Sequence, residues 1–342
     1  MNKFKNSAIT IVSLMLVIPI FFSNCKTKKT TDAEKIHVIF DTDANNELDD
    51  QHALAYLLMN GSSFIVEGVT VNATYNGGAI EGHYLEADRI IKLCNLDKVI
   101  PLYKGANSSF DSIKSDLANP TFDGSEAVDF IVERAKAATT YKLVLLAVGK
   151  LTNVALAIKK DTSICSNMRI VWLGSNYPES GEYNQDNDTI AMNYILNTNV
   201  TFEMVTVRYG KPTGTDAVKV TPEEINQKMP DKGPKVAVAV MGRHEKAFNT
   251  FGDYSINLFE HAEYYGNPPS RALFDMAAVA IVKNPAWAKA TVIPCPILIN
   301  NTWTERPDNQ RKITVWENFN KIEILSDFFN TMDNYVLCAK AE

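Results

Sequence analysis

The segment VIFDTDANNELDDQHALAYLL (Val38–Leu58) places a dense group of carboxylates between two apolar runs. The first run has the composition of a buried strand, and the second has the apolar spacing of a helix. A helix beginning near Gln51 would favour one or two acidic residues in its first turn, by roughly 0.3–1 kcal/mol each. The full group is larger: Asp41, Asp43, Glu47, Asp49 and Asp50. Such oxygen-rich groups bind hard divalent cations, Ca²⁺ above all, so the segment predicts a metal site.

Strand-like and helix-like apolar runs alternate beyond this segment. The strand-like runs include IHVIF, FIVEGVTV, KLVLLAV, MRIVWLGS and TFEMVTV, and runs with helical spacing separate them, such as SEAVDFIVERAKA and TIAMNYILN. This alternation predicts an α/β fold with an open, mostly parallel sheet and helices on both faces, a Rossmann-like core. Further strands and a closing helix are predicted towards the C-terminus. We predict a single domain over residues 36–342.

Three polar loops follow predicted strands of this sheet. They comprise residues 41–50, 150–153 and 174–188. In open parallel sheets, ligands bind outside the carboxyl ends of the strands. We therefore expect these loops, although distant in sequence, to meet at one edge of the sheet.

Composition excludes several classes of function. The chain has 342 residues, of which 46% are hydrophobic, and a formal charge of −6. It contains no basic block, so a nucleic-acid partner is not expected. The four cysteines beyond residue 25 are widely spaced and form no CxxC pair, which does not favour a metal cluster. We predict buried free thiols; disulfides in an exported protein are the alternative, and the spacing assigns no pairs.

The N-terminus has the pattern of an export signal. A basic start precedes an almost unbroken apolar run from Ile9 to Phe22, and Ser-Asn-Cys25 follows. This predicts a signal peptide over residues 1–24. The position of Cys25 resembles the lipobox of bacterial lipoproteins, although Phe22 stands where Leu is usual. The resemblance implies lipidation of Cys25, a polar linker over residues 25–35, and a periplasmic or outer-membrane-anchored protein that contacts the membrane only through its lipid. A plain secretory signal is the alternative.

The polar loops carry a resemblance to a known family. DTDANNELDDQHALAYLL resembles the D-T-D-P-G-x-D-D signature of inosine–uridine-preferring nucleoside hydrolases, and AVGKLTNVALAI resembles their A-x-G-P-L-T-N-x-A segment. IVWLGSNYPESGEYNQDNDTIAMNYIL is similar to their E-F-N…D-P-E-A region, PLYKGA to V-P-V-x-x-G-A, and FDMAAVAI to a late H-D motif. These motifs occur in the family's order from about Ile36 to Pro285.

The resemblance implies an open α/β sandwich that hydrolyses the N-glycosidic bond of ribonucleosides, a reaction of nucleoside salvage, with tightly held Ca²⁺. It also implies a small-molecule nucleoside or riboside partner and a homo-oligomer. Asp43 would be both a metal ligand and the base towards a metal-bound water, and Asp41 would be a supporting residue. The implied metal ligands are Asp43, Asp50, the backbone carbonyl of Thr152, and Asp275. The implied substrate-binding residues are Asp49, Asn76, Asn176, Glu182 and Asn184.

The chain departs from the family's pattern in three places. Five residues, Ala44–Leu48, separate the second Asp from the Asp pair, where the family has three. Glu47 in this loop is an additional candidate ligand. Phe274 stands where many members have a His thought to protonate the leaving base. The segment RYGKPTGTDAVKV does not follow the common pattern.

Other side chains are candidates for assisting departure of the base. An aromatic side chain stacked on a purine could raise the proton affinity of that base. The candidates for such stacking are Tyr75, Tyr84, Tyr177 and Trp303. His52 follows the Asp pair and either faces the site or is a structural histidine. We interpret His83, His244 and His261 as structural.

Two other functions are compatible with parts of the sequence. The altered loop and the missing His suit a non-catalytic lipoprotein that binds a nucleoside or sugar with the help of a metal. A strand followed by Asp41-Thr42-Asp43 also resembles the D-x-D opening of haloacid-dehalogenase-like phosphatases, where the first Asp would be the nucleophile. That interpretation leaves Asp49 and Asp50 unexplained. A hydrolase acting on another N-riboside is a variant of the first hypothesis.

Overall fold

The computed structural model describes residues 35–339 together with Met1. The predicted signal peptide, the lipidation site at Cys25 and nearly all of the linker lie outside the described residues. Residues 35–339 belong to one compact unit. Within the described part, no helix is both long enough and apolar enough to cross a membrane.

The strands of the described residues build one large sheet and three small ones. Eight of them form the large sheet in the order β11-β14-β6-β5-β4-β1-β2-β3, with β7–β10, β8–β9 and β12–β13 as antiparallel pairs. In the large sheet all neighbours are parallel except β11 and β14. The strands are β1 (Ile36–Thr42), β2 (Phe64–Val71), β3 (Leu102–Lys104), β4 (Leu143–Ala147), β5 (Met168–Leu173), β6 (Thr201–Val205), β7 (Lys219–Val220), β8 (Val240–Met241), β9 (Ala247–Phe248), β10 (Arg271–Ala272), β11 (Lys289–Pro294), β12 (Ile297–Ile299), β13 (Thr302–Thr304) and β14 (Lys312–Glu317).

Helices connect the strands and cover both faces of the sheet. The α-helices are α1 (Leu48–Leu58), α2 (Ile80–Leu93), α3 (Phe110–Ile113), α4 (Ser125–Ala137), α5 (Thr152–Lys160), α6 (Tyr183–Asn187), α7 (Thr189–Leu196), α8 (Pro222–Lys228), α9 (Phe251–Glu260), α10 (Phe274–Lys283) and α11 (Lys321–Asp333). Short 3₁₀ turns lie at Thr162–Ser166, Thr215–Ala217 and Pro285–Trp287. The predicted α/β class, the mostly parallel sheet and the closing C-terminal helix are confirmed.

The core consists of two apolar clusters, one on each face of the sheet. In β1, Val38 and Phe40 belong to one cluster and Ile39 to the other. Such a strand is apolar at consecutive positions because both of its faces are covered by helices. This explains why IHVIF and LVLLA are continuous apolar runs. The four cysteines of the described residues are free; Cys165 is half-buried and the other three are buried.

The position of β1 decides where a ligand can bind. β1 pairs with β2 on one side and with β4 on the other, so the strand order reverses direction beside it. A crevice opens at such a switch point, outside the carboxyl ends of the strands. The backbone N–H of Val148, just after β4, donates to the Asp41 carbonyl at 2.8 Å, which holds the two strand ends together.

Helix α1 begins earlier than its sequence pattern predicts. It starts at Leu48 rather than near Gln51, and the extended residue before it, Glu47, makes no side-chain capping bond. Leu48 is buried in the apolar core. Because the helix starts at this residue, it includes the acidic residues that follow. Asp49 and Asp50 therefore lie in the first turn of α1, where the helix dipole favours negative charge.

Candidate active site

A cavity of about 590 Å³ opens at the carboxyl ends of the central strands. We call inner the lining residues that are buried and mostly acidic, and outer a group of aromatic and charged residues most of which are half-buried or exposed. The inner residues include Asp43, Asp49, Asp50, Glu182, Asn184 and Asp275. The outer residues include Tyr183, Tyr209, Lys219, Tyr265, Arg271 and Phe274. The loops after β1 and β5 thus meet at one edge of the sheet, as the strand pattern predicted, but none of residues 150–153, the third predicted loop, lines the cavity; Val148 does.

Three buried carboxylates at the inner end form a compact oxygen cluster. One oxygen from each of Asp49, Asp50 and Asp275 lies within 4.8 Å of the others. Asp275 occupies the first turn of α10, as Asp49 and Asp50 do in α1, so two helix N-termini face the cluster. Burial raises the pKa of Asp49 to about 7, and burial with mutual repulsion raises the pKa values of Asp50 and Asp275 well above their usual range.

Asp43 lies beside this cluster, just beyond the end of β1. It accepts a hydrogen bond from the Thr74 hydroxyl at 2.5 Å, and burial raises its pKa. The backbone approaches closely here: a Cβ atom on Gly149 would lie 3.0 Å from an Asp43 oxygen and 2.8 Å from the Asn72 amide. Position 149 therefore requires glycine, which explains the glycine of the AVGKLTN segment.

Asp41 supports the strand end and does not line the cavity. Its carboxylate accepts hydrogen bonds from the Thr70 hydroxyl at 2.6 Å, from Asn153 Nδ2 at 2.7 Å and from Asn72 Nδ2 at 3.0 Å. Burial raises its pKa to about 7. Because both oxygens are engaged with side chains, Asp41 is unsuited to be the nucleophile that a phosphatase mechanism requires.

Glu182 and Asn184 form a rigid polar wall. The Glu182 carboxylate accepts three backbone N–H groups, from Ser175 at 2.8 Å, Gln185 at 2.9 Å and Asn184 at 3.1 Å. Burial raises its pKa to about 7. The Asn184 side-chain nitrogen donates to the carbonyls of Val148 at 2.8 Å and Leu173 at 3.1 Å. Both side chains are fixed before any ligand arrives.

The structure does not bring Thr152 to the cavity. This residue begins α5, and its hydroxyl donates to Asp188 at 2.5 Å. Carbonyl groups of an α-helix point towards its C-terminal end, so the Thr152 carbonyl faces away from the carboxylates. The backbone at the cavity is that of Val148, directly after β4. The sequence contained a signal for Val148, which directly follows a predicted strand. Backbone carbonyls at such a position are not hydrogen-bonded within a helix.

Two predicted substrate-binding residues also lie elsewhere. Asn76 is exposed, and its backbone N–H donates to the Tyr183 hydroxyl at 2.8 Å. Asn176 is buried, but its side chain bonds the Gly181 carbonyl at 3.0 Å and the Tyr209 amide at 3.3 Å. Both residues shape the loops, and neither lines the cavity. Asn46, in the long loop after β1, lines it instead.

The aromatic wall differs from the predicted one. Tyr75 is 74% exposed, and Tyr177 donates to Glu305 at 2.6 Å while it packs against Trp303. Tyr84 lies under the Lys104 ammonium group. None of these four lines the cavity; Tyr183, Tyr209, Tyr265 and Phe274 do. Tyr209 lies in RYGKPTGTDAVKV, the segment that did not follow the family's pattern.

Glu47 and His52 have partners away from the cluster of Asp49, Asp50 and Asp275. Glu47 forms an ion pair with Arg271 at the cavity wall, so its carboxylate is already engaged. His52 is buried with its ring nitrogens 2.6 Å from the Leu48 carbonyl and 2.7 Å from the Ser255 hydroxyl, which makes it a structural residue. In the described part of the chain, no histidine lines the cavity.

The donor set fits a calcium ion. Within residues 35–339, no lysine, arginine or histidine pairs with the clustered carboxylates, so their repulsion lacks a protein counter-charge. Calcium takes oxygen ligands at about 2.3–2.6 Å. Oxygens within 4.8 Å of one another are therefore spaced for a shared ion. The hard, all-oxygen donors do not suit zinc or copper.

Comparisons with known proteins agree with this arrangement. The family model for inosine-uridine preferring nucleoside hydrolases matches residues 38–325. None of the curated proteins compared matches the sequence. An inosine–guanosine nucleoside hydrolase is similar in structure, with 17% identity, a TM-score of 0.66, and 88% of this chain and 99% of that one covered.

Two further solved structures have the same fold. A purine-preferring ribonucleoside hydrolase from Gardnerella vaginalis is 18% identical with a TM-score of 0.65, covering 87% of this chain and 98% of that one. An inosine-uridine preferring nucleoside hydrolase from Bacillus anthracis is 18% identical with a TM-score of 0.63, covering 87% and 99%.

Proposed function

The chain belongs to the inosine-uridine preferring nucleoside hydrolase family, and from this we propose that it hydrolyses a ribonucleoside or related N-riboside with a water that Asp43 activates at a Ca²⁺ site. Family membership makes it an N-glycosidase of the nucleoside hydrolase type. The observation that carries the finer proposal is the cavity in which Asp43 lies beside the unpaired cluster of Asp49, Asp50 and Asp275.

Several oxygens of the inner cavity would hold the ion. Asp43, Asp50 and Asp275 supply carboxylates, and the Val148 carbonyl, rather than that of Thr152, supplies the backbone oxygen. When bound, Ca²⁺ would lower the pKa of a water and orient two neighbouring sugar hydroxyls. The orphaned negative charge of the cluster supports an ion of this charge and hardness.

The protein's own residues carry the remaining chemistry. Asp43 takes a proton from the attacking water, and the Thr74 hydroxyl fixes the orientation of its carboxylate. Cleavage of the C1′–N bond builds positive charge on the sugar ring, which the surrounding carboxylates stabilise. Asp49, Glu182 and Asn184 bind the sugar hydroxyls, and the backbone bonds of Glu182 and Asn184 hold them in place beforehand.

The direct test is hydrolysis of a nucleoside panel. Purified protein with Ca²⁺ is incubated with inosine, guanosine, adenosine, uridine and cytidine, and released base and ribose are quantified. We expect release from at least one substrate, and a loss of about 10²- to 10⁴-fold in kcat for Asp43→Asn. Asp308→Asn, at an exposed position, is the matched control. Absence of product from every substrate would contradict the proposal.

One observation favours a second candidate, a metal-assisted binding protein without turnover. Phe274 replaces the residue that would protonate the base. Calorimetry on the same panel separates the two functions: binding of a nucleoside with no release of base or ribose would support the binding protein.

We also propose that the protein is exported as a periplasmic or outer-membrane-anchored lipoprotein with a lipid on Cys25, and that it assembles as a homo-oligomer. The support for the anchor is the sequence pattern before Cys25, and the support for self-association is the family. Mass spectrometry of the mature N-terminal peptide tests the first, with Cys25→Ala as the control. Light scattering on the soluble domain tests the second.

A further inference from the structure

Two departures from the family's sequence pattern, the lengthened loop and the missing histidine, both contribute a residue to the wall of the cavity. Glu47 lies in the lengthened loop, and Phe274 stands in the position of the missing histidine. Arg271 lies three residues before Phe274, and its guanidinium group pairs with Glu47. All three residues line the same cavity.

We propose that Arg271, held by Glu47, stabilises the departing base in place of that histidine. This inference rests on the proposed function, and it assigns the leaving-group side of the reaction to residues outside the metal site. Glu47 is then a positioning residue, and the longer loop is the element that supplies it.

The location of Arg271 follows from the arrangement of the cavity. Asp49, Glu182 and Asn184 form the inner part, where the sugar would bind, so the base must extend towards the outer wall. Arg271 lies on that wall, in β10, whose pairing with β7 fixes its backbone. Helix α10 begins at Phe274, so the same short stretch of chain positions both Arg271 and the Asp275 carboxylate.

The guanidinium group is held in place and largely withdrawn from water. Arg271 is 9% exposed. Besides the pair with Glu47, it lies over the Tyr265 ring at 5.5 Å and approaches the Glu263 carbonyl at 3.4 Å. A guanidinium group has more N–H donors than these contacts use. A fixed donor in a site of low dielectric stabilises developing charge strongly, because it needs no reorganisation during the reaction.

The chemistry differs from acid catalysis by histidine. When the C1′–N bond breaks, its electron pair moves to the base, and the attacking water supplies hydroxide to C1′ and a proton to Asp43. Arginine stays protonated, so Arg271 does not transfer a proton. It donates a hydrogen bond to the negative charge spread over the base, and the base takes its proton from solvent after release.

Two other outer residues are weaker candidates for this role. Lys219 lines the cavity and pairs with Asp216 at 2.7 Å, but its side chain is 30% exposed against 11% for Arg271, so water screens its charge more. The Tyr209 ring packs against Phe274, with ring centroids 5.8 Å apart, and burial raises the pKa of its hydroxyl. A phenol with a raised pKa releases its proton less readily. Tyr209→Phe is therefore included in the test as the rival variant.

The test compares kcat/KM for two substrates whose leaving groups differ in how much stabilisation they need. Inosine has a poor leaving group, whereas 4-nitrophenyl riboside releases nitrophenolate without assistance. For Arg271→Gln in the Ca²⁺-loaded enzyme, we expect kcat/KM to fall about 10²-fold or more with inosine. The fall with the nitrophenyl riboside should stay within about 3-fold, which also shows that the variant is folded. Arg271→Lys should recover part of the loss, because it keeps a cation but not the fork of donors.

The control is Arg169→Gln. Arg169 pairs with Glu203 at 2.5 Å near the amino end of β5, at the edge of the sheet opposite the cavity, and should affect neither substrate. Equal losses on both substrates for Arg271→Gln would overturn the inference, and so would a selective loss of inosine hydrolysis in Tyr209→Phe alone. If the unmodified protein cleaves neither the nitrophenyl riboside nor any nucleoside of the panel, the proposed function fails. If it cleaves only the nitrophenyl riboside, hydrolysis stands but the role of Arg271 is overturned.

Discussion

Asp41 is the residue on which the geometry of the strand end depends. The Thr70 hydroxyl and the Asn72 amide both donate to its buried carboxylate. Removal of a buried partner costs about 1–3 kcal/mol for each polar group left unpaired. We expect Asp41→Ala to lower the free energy of unfolding by about 2–5 kcal/mol, and Asp41→Asn, which keeps an acceptor oxygen, by clearly less.

Urea denaturation at saturating Ca²⁺ measures both variants of Asp41. Asp308→Ala, at an exposed position, is the control and should change stability by less than about 0.5 kcal/mol. Equal stabilities for Asp41→Ala and the unmodified protein would show that these hydrogen bonds do not hold the strand end.

Local sequence was enough to predict which carboxylates lie in the first turn of a helix. Asp49, Asp50 and Asp275 are examples, because an apolar run directly after a carboxylate indicates a helix whose N-terminus carries that carboxylate. Thr152 could not be placed in this way, because the direction of a backbone carbonyl depends on where α5 begins. Asn76 depends on the register of a glycine-rich turn, which the sequence does not determine. The catalytic roles of all these residues stay predictions.

At the level of elements, α1 connects the carboxylate cluster of the cavity to the core. Its first turn carries Asp49 and Asp50, and its next turn buries His52 between the rings of Phe251 and Phe259, at centroid distances of 5.4 and 5.5 Å. Burial lowers the pKa of His52 to about 4. The imidazole is therefore neutral in the native protein over most of the pH range.

This histidine makes stability depend on pH. The unfolded chain binds a proton at His52 below about pH 6.5, whereas the native protein does not until about pH 4. Its contribution to stability is complete above about pH 6.5 and is lost as pH falls towards 4, by an amount on the order of 3 kcal/mol. We expect His52→Gln to flatten the pH dependence of the free energy of unfolding in this window.

The measurement is urea denaturation of the Ca²⁺-loaded protein at several pH values between about 4.5 and 7. His261→Gln, at an exposed position stacked on His244, is the control. A difference between His52→Gln and the unmodified protein that stays constant across this range would contradict the prediction.

The length of a strand or helix limits whether it can be predicted from the sequence. The long apolar strands and α4 were recognisable because their periodicity is uninterrupted. The short strands β7 and β10 were not, because two residues carry no period. These short strands nevertheless bring Lys219 and Arg271 to the outer wall. Of the outer wall, the sequence therefore pointed to Phe274 but not to Lys219 or Arg271, whereas it pointed to most of the acidic residues.

At the scale of the whole molecule, alternation of strands and helices determines the class of fold but not the order of strands. The position of β1 between β2 and β4 creates the crevice, and it depends on pairing between residues about 100 positions apart, such as Phe40 with Leu146. The sequence still predicts which edge binds the ligand, since every parallel strand places its carboxyl end there.

The fold gathers more buried negative charge at that edge than it can stabilise alone. Burial raises the pKa of Asp49 to about 7 and those of Asp50 and Asp275 well above their usual range. Without a cation, the native protein binds more protons here than the unfolded chain does above about pH 4, so its stability falls as pH rises from 4 towards 7 and beyond. Ca²⁺ would compete with those protons and remove this loss.

We therefore expect Ca²⁺ to stabilise the protein more at about pH 7.5 than at about pH 5. At a concentration 100 times its Kd at pH 7.5, it should add about 2.7 kcal/mol to the free energy of unfolding at that pH. The same concentration should add less at pH 5, where protons compete with the ion and raise its Kd. Chelator-treated protein is titrated with Ca²⁺ during urea denaturation at both pH values. Mg²⁺ is the control ion and should stabilise less, because it demands a smaller octahedral site and keeps its waters. Asp275→Asn should reduce the effect of Ca²⁺. Equal stabilisation at both pH values would indicate that Ca²⁺ binds elsewhere on the protein, because only the buried carboxylates exchange protons for the ion in this range.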